Sequence, residues 1–429
     1  MKRLSYLFGA IALAAMVSCS SDEVVSSQND AAILSKQSIS FAPLATKTTR
    51  STVYSPSSMF TNFRVIGMWN AAAPASVYIE GNEWTVNAGG GDNKWTAAPA
   101  AGSLYQGFDD GTVGKKGLEI ISSGTGWDYK DQTKIQYWPY EPQGGDPITG
   151  YNCLALNFRA VAPANTDLNL EGGNFACTTP AVASQVDICY AEATGKTVAD
   201  APVQMAFHHL FSQVIFKAKK ASNYTVDIKS ITIGGVGTSA TIPFTTIQKT
   251  TNVCLADDNV AVTTPTSFPG FTSASYSSIP DQDADASPAQ ITPAGQELIL
   301  LPQNITKWDV SADGTAAESG QGYVAIEYRA KTKDAAAWAT GDGDGFKTVY
   351  FPLNAKWYSG KKYIYTLLFG GVEDPDDPGT DDPENPDPGT GDDNPGGYDE
   401  NGNPEAPSVP ITFTASVNDW TEQVVDIDF

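Results

Sequence analysis

Short apolar runs with a period of two dominate this sequence, and that period belongs to strands with one buried face and one wet face. Val324, Ile326 and Tyr328 show it, as do Val349, Phe351 and Leu353, and Ile411, Phe413, Ala415 and Val417. Residues 214–218 and 363–369 are denser apolar runs, as expected of strands inside a sandwich. Across Val226, Ile228, Ile231 and Ile233 the alternation slips by one residue, which predicts a bulge or a bent strand, with Gly234 and Gly235 as the turn after it. From Gly341 to Gly345 glycine alternates with aspartate, and this reads as a hairpin tip. No amphipathic pattern is long enough for a substantial helix; residues 335–339 are the best helical candidate. No repeat has a solenoid period. The expected fold class is all-β.

The N-terminus carries a processing signal. Lys2 and Arg3 precede an apolar run from Leu4 to Val17, too short to span a bilayer permanently. Ser18 then stands directly before Cys19, the arrangement that lipoprotein processing requires. Residues 1–18 are therefore expected to be a signal peptide, Cys19 the lipidated first residue, and residues 19–37 an anchored N-terminal segment. An ordinary signal peptide with an incidental cysteine is the alternative. Acyl chains supply about 0.8 kcal/mol per buried methylene, enough to hold a folded body at an outer membrane without a spanning helix.

The formal charge of −23 disfavours nucleic acid or anionic lipid as a partner and suits a solvated extracellular surface. Much of it is concentrated: residues 372–405 hold 13 Asp and Glu, seven Pro and no Lys or Arg. Such a stretch cannot bury enough apolar area to offset its ordering entropy, so residues 372–408 read as an extended linker or insertion. Calcium binding is the sharper alternative, since Asp399, Asn401 and Asn403 alternate as in a calcium loop, but Pro404 stands where an EF-hand needs its glycine. The length of the chain calls for two domains.

Catalytic chemistry finds little support. The chain has two histidines, His208 and His209, expected at the head of the strand at residues 210–218, one packed and one exposed. As neighbours in a strand they point to opposite faces and cannot chelate one zinc ion without further ligands. There is no Gly-x-Ser-x-Gly elbow, and Phe346 occupies the position where a phosphate loop needs glycine. Paired carboxylates are not constrained by spacing. No catalytic, cofactor or metal residues are assigned, and the chain is not expected to be an enzyme. Cys153, Cys177, Cys189 and Cys254 are permitted to form disulfides in an oxidising compartment; buried free thiols are expected, with a bridge from Cys153 to Cys177 or Cys189 as the alternative. Trp69, Trp84, Trp95, Trp127 and Trp138 either fill a sandwich core or stack on sugar faces, which makes a surface glycan-binding lipoprotein the alternative function.

Several stretches, taken in order, resemble the fimbrillin family of Bacteroidetes lipoproteins, which includes type V pilins and minor-fimbria subunits. They are Phe63-Arg64-Val65-Ile66-Gly67-Met68-Trp69, Tyr137-Trp138-Pro139-Tyr140, Val186-Asp187-Ile188-Cys189-Tyr190-Ala191, Phe207-His208-His209-Leu210-Phe211-Ser212-Gln213-Val214, Leu300-Leu301-Pro302-Gln303, Trp357-Tyr358-Ser359-Gly360-Lys361-Lys362-Tyr363-Ile364-Tyr365-Thr366, and the stretch from Phe413 to Trp420. The tract Ser20-Ser21-Asp22-Glu23 is similar to a surface-export signal of such lipoproteins. The resemblance implies two tandem transthyretin-like β-sandwiches, at residues 38–197 and at residues 198–371 plus 409–429, and a pilus subunit whose partners are other pilus subunits, the outer membrane through its lipid, and a glycan or protein receptor. It also implies strand exchange, in which a protease cuts behind the first strand and the next subunit fills the vacated groove. Residues 38–41 read as that first strand and Arg50 as the cleavage site, against the alternative of an uncut surface arginine. For the donor strand the candidates are Val417, Trp420, Val424, Ile427 and Phe429, unless residues 411–420 simply complete the second sandwich.

Overall fold

The computed structural model describes residues 36–45, 60–80, 82–86, 94–109, 116–123, 126–142, 151–166, 168–172, 174–179, 184–243, 265–281, 286–293, 296–312, 314–341, 343–371, 396–405 and 409–419. Strands make up nearly all of its regular structure. Among the described residues, no helix is long and apolar enough to cross a membrane.

A seven-stranded sheet runs in the order Phe41–Ala45, Val203–His209, Cys189–Lys196, Leu156–Ala162, Asn62–Trp69, Leu118–Ser122 and Trp127–Tyr129. A second sheet of Lys94–Trp95, Asn82–Val86, Ser76–Ile79, Tyr140–Pro142 and Tyr151–Cys153 contributes to the same aromatic-rich core, which includes Phe63, Trp69, Trp138 and Phe158. Further along the chain, Ser212–Lys220 and Lys361–Phe369 lie parallel and side by side, in one sheet with Ala289–Gln290, Leu298–Leu300 and Ile411–Asp419. Their core is shared with a four-stranded sheet of Pro265–Ser278, Tyr224–Gly237, Tyr323–Thr332 and Lys347–Pro352. The architecture is thus an all-β sandwich arrangement around separate apolar cores.

A third cluster, of Ile66, Met68, Leu210, Phe211, Ile242 and Leu301 among others, joins the two halves. It explains why Asn62–Trp69 is buried on both faces instead of alternating. Phe63, Val65 and Trp69 enter the first core, whereas Ile66 and Met68 enter the joint. Arg64 shares the joint face and is only 4% exposed. Its guanidinium donates to the carbonyls of Lys116, Ala164, Thr166 and Leu168, and buried backbone acceptors satisfied in this way hold the loop at 163–168 down on the sheet. Asn174–Thr178 also pairs antiparallel with Ser239–Pro243 across the two halves.

The slipped alternation is a bulge: the register of Tyr224–Gly237 shifts between Ile228 and Ser230 against both neighbouring strands. The extra residue returns Ile231 and Ile233 to the face already used by Val226 and Ile228, and all four are fully buried. The expected turn at Gly234 and Gly235 is absent, because the strand continues through both to Gly237. Gly235 has φ +68°, and a Cβ there would come within 1.8 Å of the Gln321 carbonyl oxygen, so it accommodates a close backbone approach, while Gly234 leaves room for the Tyr323 ring.

Two further expectations are corrected. Residues 335–339 form no helix, because they lie in the connection between Tyr323–Thr332 and Lys347–Pro352, where Trp338 stacks 4.1 Å from the Arg329 guanidinium. The only α-helix among the described residues is the single turn Ala316–Ser319, closed by reciprocal Thr315 and Glu318 capping bonds. The glycine-aspartate stretch does sit at a hairpin tip, with Gly341 N–H donating to the Gly345 carbonyl at 2.9 Å. The acidic segment is not extended throughout. Residues 396–405 pack on the body: Tyr398 is buried against Trp308, exchanges backbone hydrogen bonds with Tyr350, and Glu405 pairs with Lys347. An aromatic anchor and an ion pair offset the ordering entropy that composition alone could not. Asp399 accepts from Asn401 N–H, Asn403 N–H and the Asn403 amide group, which hold its carboxyl below the usual range. That carboxylate closes a turn of its own chain, as Asx residues do.

Gly235→Ala is expected to lower the urea unfolding midpoint, with a loss of more than about 1 kcal/mol from positive φ and backbone collision together. Gly343→Ala, at a φ of +64° with open space around it, is expected to cost clearly less.

Candidate functional site

The candidate site is a sheet margin, and both described chain ends occupy one. Residues 37–39 first run beside residues 136–138: Ile39 N–H donates to Gln136 O at 2.8 Å, and Trp138 N–H to Gln37 O at 3.0 Å. The chain then crosses to the larger sheet, where the Ser40 carbonyl accepts from Val203 N–H at 2.8 Å. From there Phe41–Ala45 lies parallel to Val203–His209, with Phe41 opposite Val203 and Ala45 opposite Phe207. The first strand is therefore displaced from the expected residues 38–41, because the residues before Phe41 bridge to a different partner before the sheet begins.

Phe41–Ala45 is the terminal member of the seven-stranded sheet, so one of its edges is unpaired within that sheet. Its side chains are the attachment. Ile39 is fully buried and Phe41 3% exposed. The Phe41 ring lies edge-on to Phe158, Phe63 and Tyr129, with centroids at 5.3, 6.3 and 6.3 Å. Beneath the strand, Val203, Met205 and Phe207 present every second side chain to the same core. Removal of residues 37–45 would leave an apolar groove bordered by the unpaired backbone edge of Val203–His209.

At the other end, Ile411–Asp419 is the outer strand beside Lys361–Phe369, paired in antiparallel register from Phe369 opposite Ile411 to Lys361 opposite Asp419. Val417 stands opposite Tyr363. Residues 411–419 thus complete their own sheet, as the alternative reading expected. Trp420, Val424, Ile427 and Phe429 lie outside the described residues, as do Cys19 and Arg50.

The remaining candidates are placed as follows. His208 and His209 end the strand Val203–His209 instead of opening the next one, and both are partly buried. They do point to opposite faces: His208 pairs with Tyr190 and His209 with Cys189. Cys153 and Cys189 are not joined in a disulfide, so the alternative bridge between them is not formed. Burial pushes the Cys153 thiol up. Cys254 and the side chain of Cys177 lie outside the described residues. Trp69 and Trp138 are buried in the first core; Trp84, Trp95 and Trp127 are half-buried and packed against it. No tryptophan among the described residues is fully exposed.

Residues 92–380, well over half of the chain, match the family model described as fimbrillin-like. The chain belongs to the fimbrillin-like family. It is accordingly a structural, non-enzymatic protein, a pilus or adhesion subunit of the cell surface. Similar solved structures include a fimbrial protein from Bacteroides vulgatus, 13% identical with TM-score 0.45, covering 90% of this chain and 100% of that one. Another is a fimbrilin from Porphyromonas gingivalis, 10% identical with TM-score 0.36, covering 90% and 98%. No curated protein matches.

If Phe41 is the principal anchor of the first strand, Phe41→Ala is expected to destabilise the fold by about 3–5 kcal/mol, the usual range for a truncated buried Phe, read from chemical denaturation. Ala42→Ser, at the half-buried neighbouring position, is expected to stay within about 0.5 kcal/mol of the parent protein.

Proposed function

We propose that this fimbrillin-like protein is exported as a lipoprotein, anchored through Cys19 to the outer membrane, and polymerised by strand exchange at the margin now filled by Phe41–Ala45. The observation that carries this reading is the coincidence of three properties in one strand: it is first among the described strands, outermost in its sheet, and attached by a buried aromatic plug. A strand with these properties can be traded for another chain's at the loss only of its pairing with Val203–His209 and of the short run of residues 37–39 beside residues 136–138. The segment that follows it in the sequence, residues 46–59, contains Lys47 and Arg50, and cleavage after Arg50 would separate the strand, together with Cys19, from the body. Lipid anchoring then serves transit to the surface, and release of the first strand opens the groove.

Within this reading there are two transthyretin-like sandwiches, the first extended beyond the expected residues 38–197 to take in Val203–His209, which lies in its sheet and core, and the second built from the remainder of residues 198–371 plus 409–429. The donor is the C-terminal end, where Ile411–Asp419 already lies at a margin and Trp420, Val424, Ile427 and Phe429 follow it with the apolar character that the groove takes. The partners are other pilus subunits, and a surface glycan or protein receptor would be met by the assembled fibre. A glycan-binding lipoprotein is the weaker reading, since the tryptophans of the first half are engaged in its core.

Treatment of the purified precursor with an arginine-specific protease is expected to release the segment before Ser51 and to yield filaments visible by electron microscopy. Arg50→Ala is expected to block both. Deletion of residues 420–429 is expected to leave cleavage intact and abolish filaments. Quantitative cleavage that leaves only monomers would refute Arg50 as the assembly switch.

A further inference from the structure

Asp187, Cys189 and His209 converge where the Cys189–Lys196 strand begins and Val203–His209 ends. Cys189 and His209 are direct cross-strand partners, and the next link is Leu210 N–H donating to the Ile188 carbonyl at 2.7 Å. Directly opposed residues in an antiparallel pair project to the same face, and Asp187, two positions before Cys189, joins them there. Cys189 Sγ is 3.7 Å from His209 Nδ1 and 3.5 Å from Asp187 Oδ2, and His209 Nδ1 is 2.7 Å from Asp187 Oδ2.

This arrangement is not a catalytic relay. In a relay, the imidazole contacts the nucleophile through one ring nitrogen and the carboxylate through the other. Here the thiol and the carboxylate both approach Nδ1. Three potential ligand atoms of different chemistry therefore surround one point, all within 4.8 Å of one another. Tetrahedral zinc, with bonds of about 2.0–2.3 Å, needs its ligand atoms separated by roughly 3.3–3.6 Å. Two of the three separations are close to that, and the third, a hydrogen bond, needs to open by only about 0.6 Å. Asp187 Oδ1 is buried without a hydrogen-bond partner, an expense that a bound cation would remove.

We propose that Asp187, Cys189 and His209 form a zinc-binding site with an open fourth position. Thiolate, imidazole and carboxylate together select zinc over the all-oxygen preference of calcium or magnesium. The sulfur is buried, whereas the His209 and Asp187 side chains are 12% and 21% exposed, so an ion and a completing water enter from their side. The place in the fold suggests what the ion does. His209 ends the last strand of the first core, and Leu210 and Phe211 enter the cluster that joins the halves before Ser212–Lys220 begins. Its Cβ lies 4.0 Å from where a Cβ on Gly360 would stand, next to the turn that opens Lys361–Phe369. A metal here fixes the end of Val203–His209 to the start of Cys189–Lys196, at the point where the chain leaves the first core for the joint.

The test uses the full chain, with Cys19→Ser to keep it unacylated, stripped with chelator and titrated with Zn²⁺ by calorimetry and with Co²⁺ as an optical reporter. Expected are one equivalent of Zn²⁺, a thiolate-to-cobalt charge-transfer band, and a rise in unfolding temperature on zinc addition. His209→Gln and Asp187→Asn, at partly exposed positions, should each weaken binding by about tenfold or more and cancel the thermal shift. Cys189→Ser should remove the charge-transfer band, whereas Cys153→Ser, at a separate free thiol, should retain it. Absence of saturable binding, or unchanged affinity in His209→Gln, overturns the proposal.

Discussion

The margin of the larger sheet depends on how the backbone groups along the outer edge of Val203–His209 are satisfied. A strand edge in the middle of a sheet is permanently occupied; an edge at the margin is occupied only as firmly as the strand placed there. In this chain the occupant comes from the described N-terminal end and lies parallel to its partner. The backbone bonds alone would hold any strand. What discriminates is the wedge of Ile39 and Phe41 driven between Phe63, Tyr129 and Phe158. Backbone pairing thus supplies a general affinity for strands, and the pocket under it selects which side chains arrive.

Such a margin is useful in a fibre only if the body behind it is stiff. The joint provides this in a way that ordinary alternation does not. Asn62–Trp69 buries both of its faces, one in each of two clusters, and Arg64 uses its position on the joint face to collect carbonyls from a loop that would otherwise need water. The Asn174–Thr178 and Ser239–Pro243 pairing adds backbone hydrogen bonds between the halves. Force applied to one half therefore reaches the other through packed side chains and a sheet, and does not depend on a single connecting segment.

Much of the architecture was legible in the residues. Alternation at Val324, Ile326 and Tyr328 identified a strand and its buried face, and the slip across Ile228 and Ile231 identified a bulge, because side-chain direction in a strand follows residue parity. The glycine-aspartate hairpin was legible for a similar local reason. The misreadings were of another kind. Gly234 and Gly235 look like a turn but make room for the Tyr323 ring and the Gln321 backbone, both distant in sequence. Residues 335–339 look helical but yield to the stacking of Trp338 on Arg329. Residues 396–405 look like spacer but are pinned by Tyr398.

The candidate site divides along the same line. The sequence by itself determined that this is an acidic, all-β chain rich in aromatic residues, since composition and parity are properties of neighbours along the chain. Only the tertiary structure decided that Phe41–Ala45 lies at a margin, which strand it covers, and that Asp187 and Cys189 meet His209. Those facts rest on sheet order and register between segments far apart in the chain, which are set by how the cores close and leave no mark on any one segment.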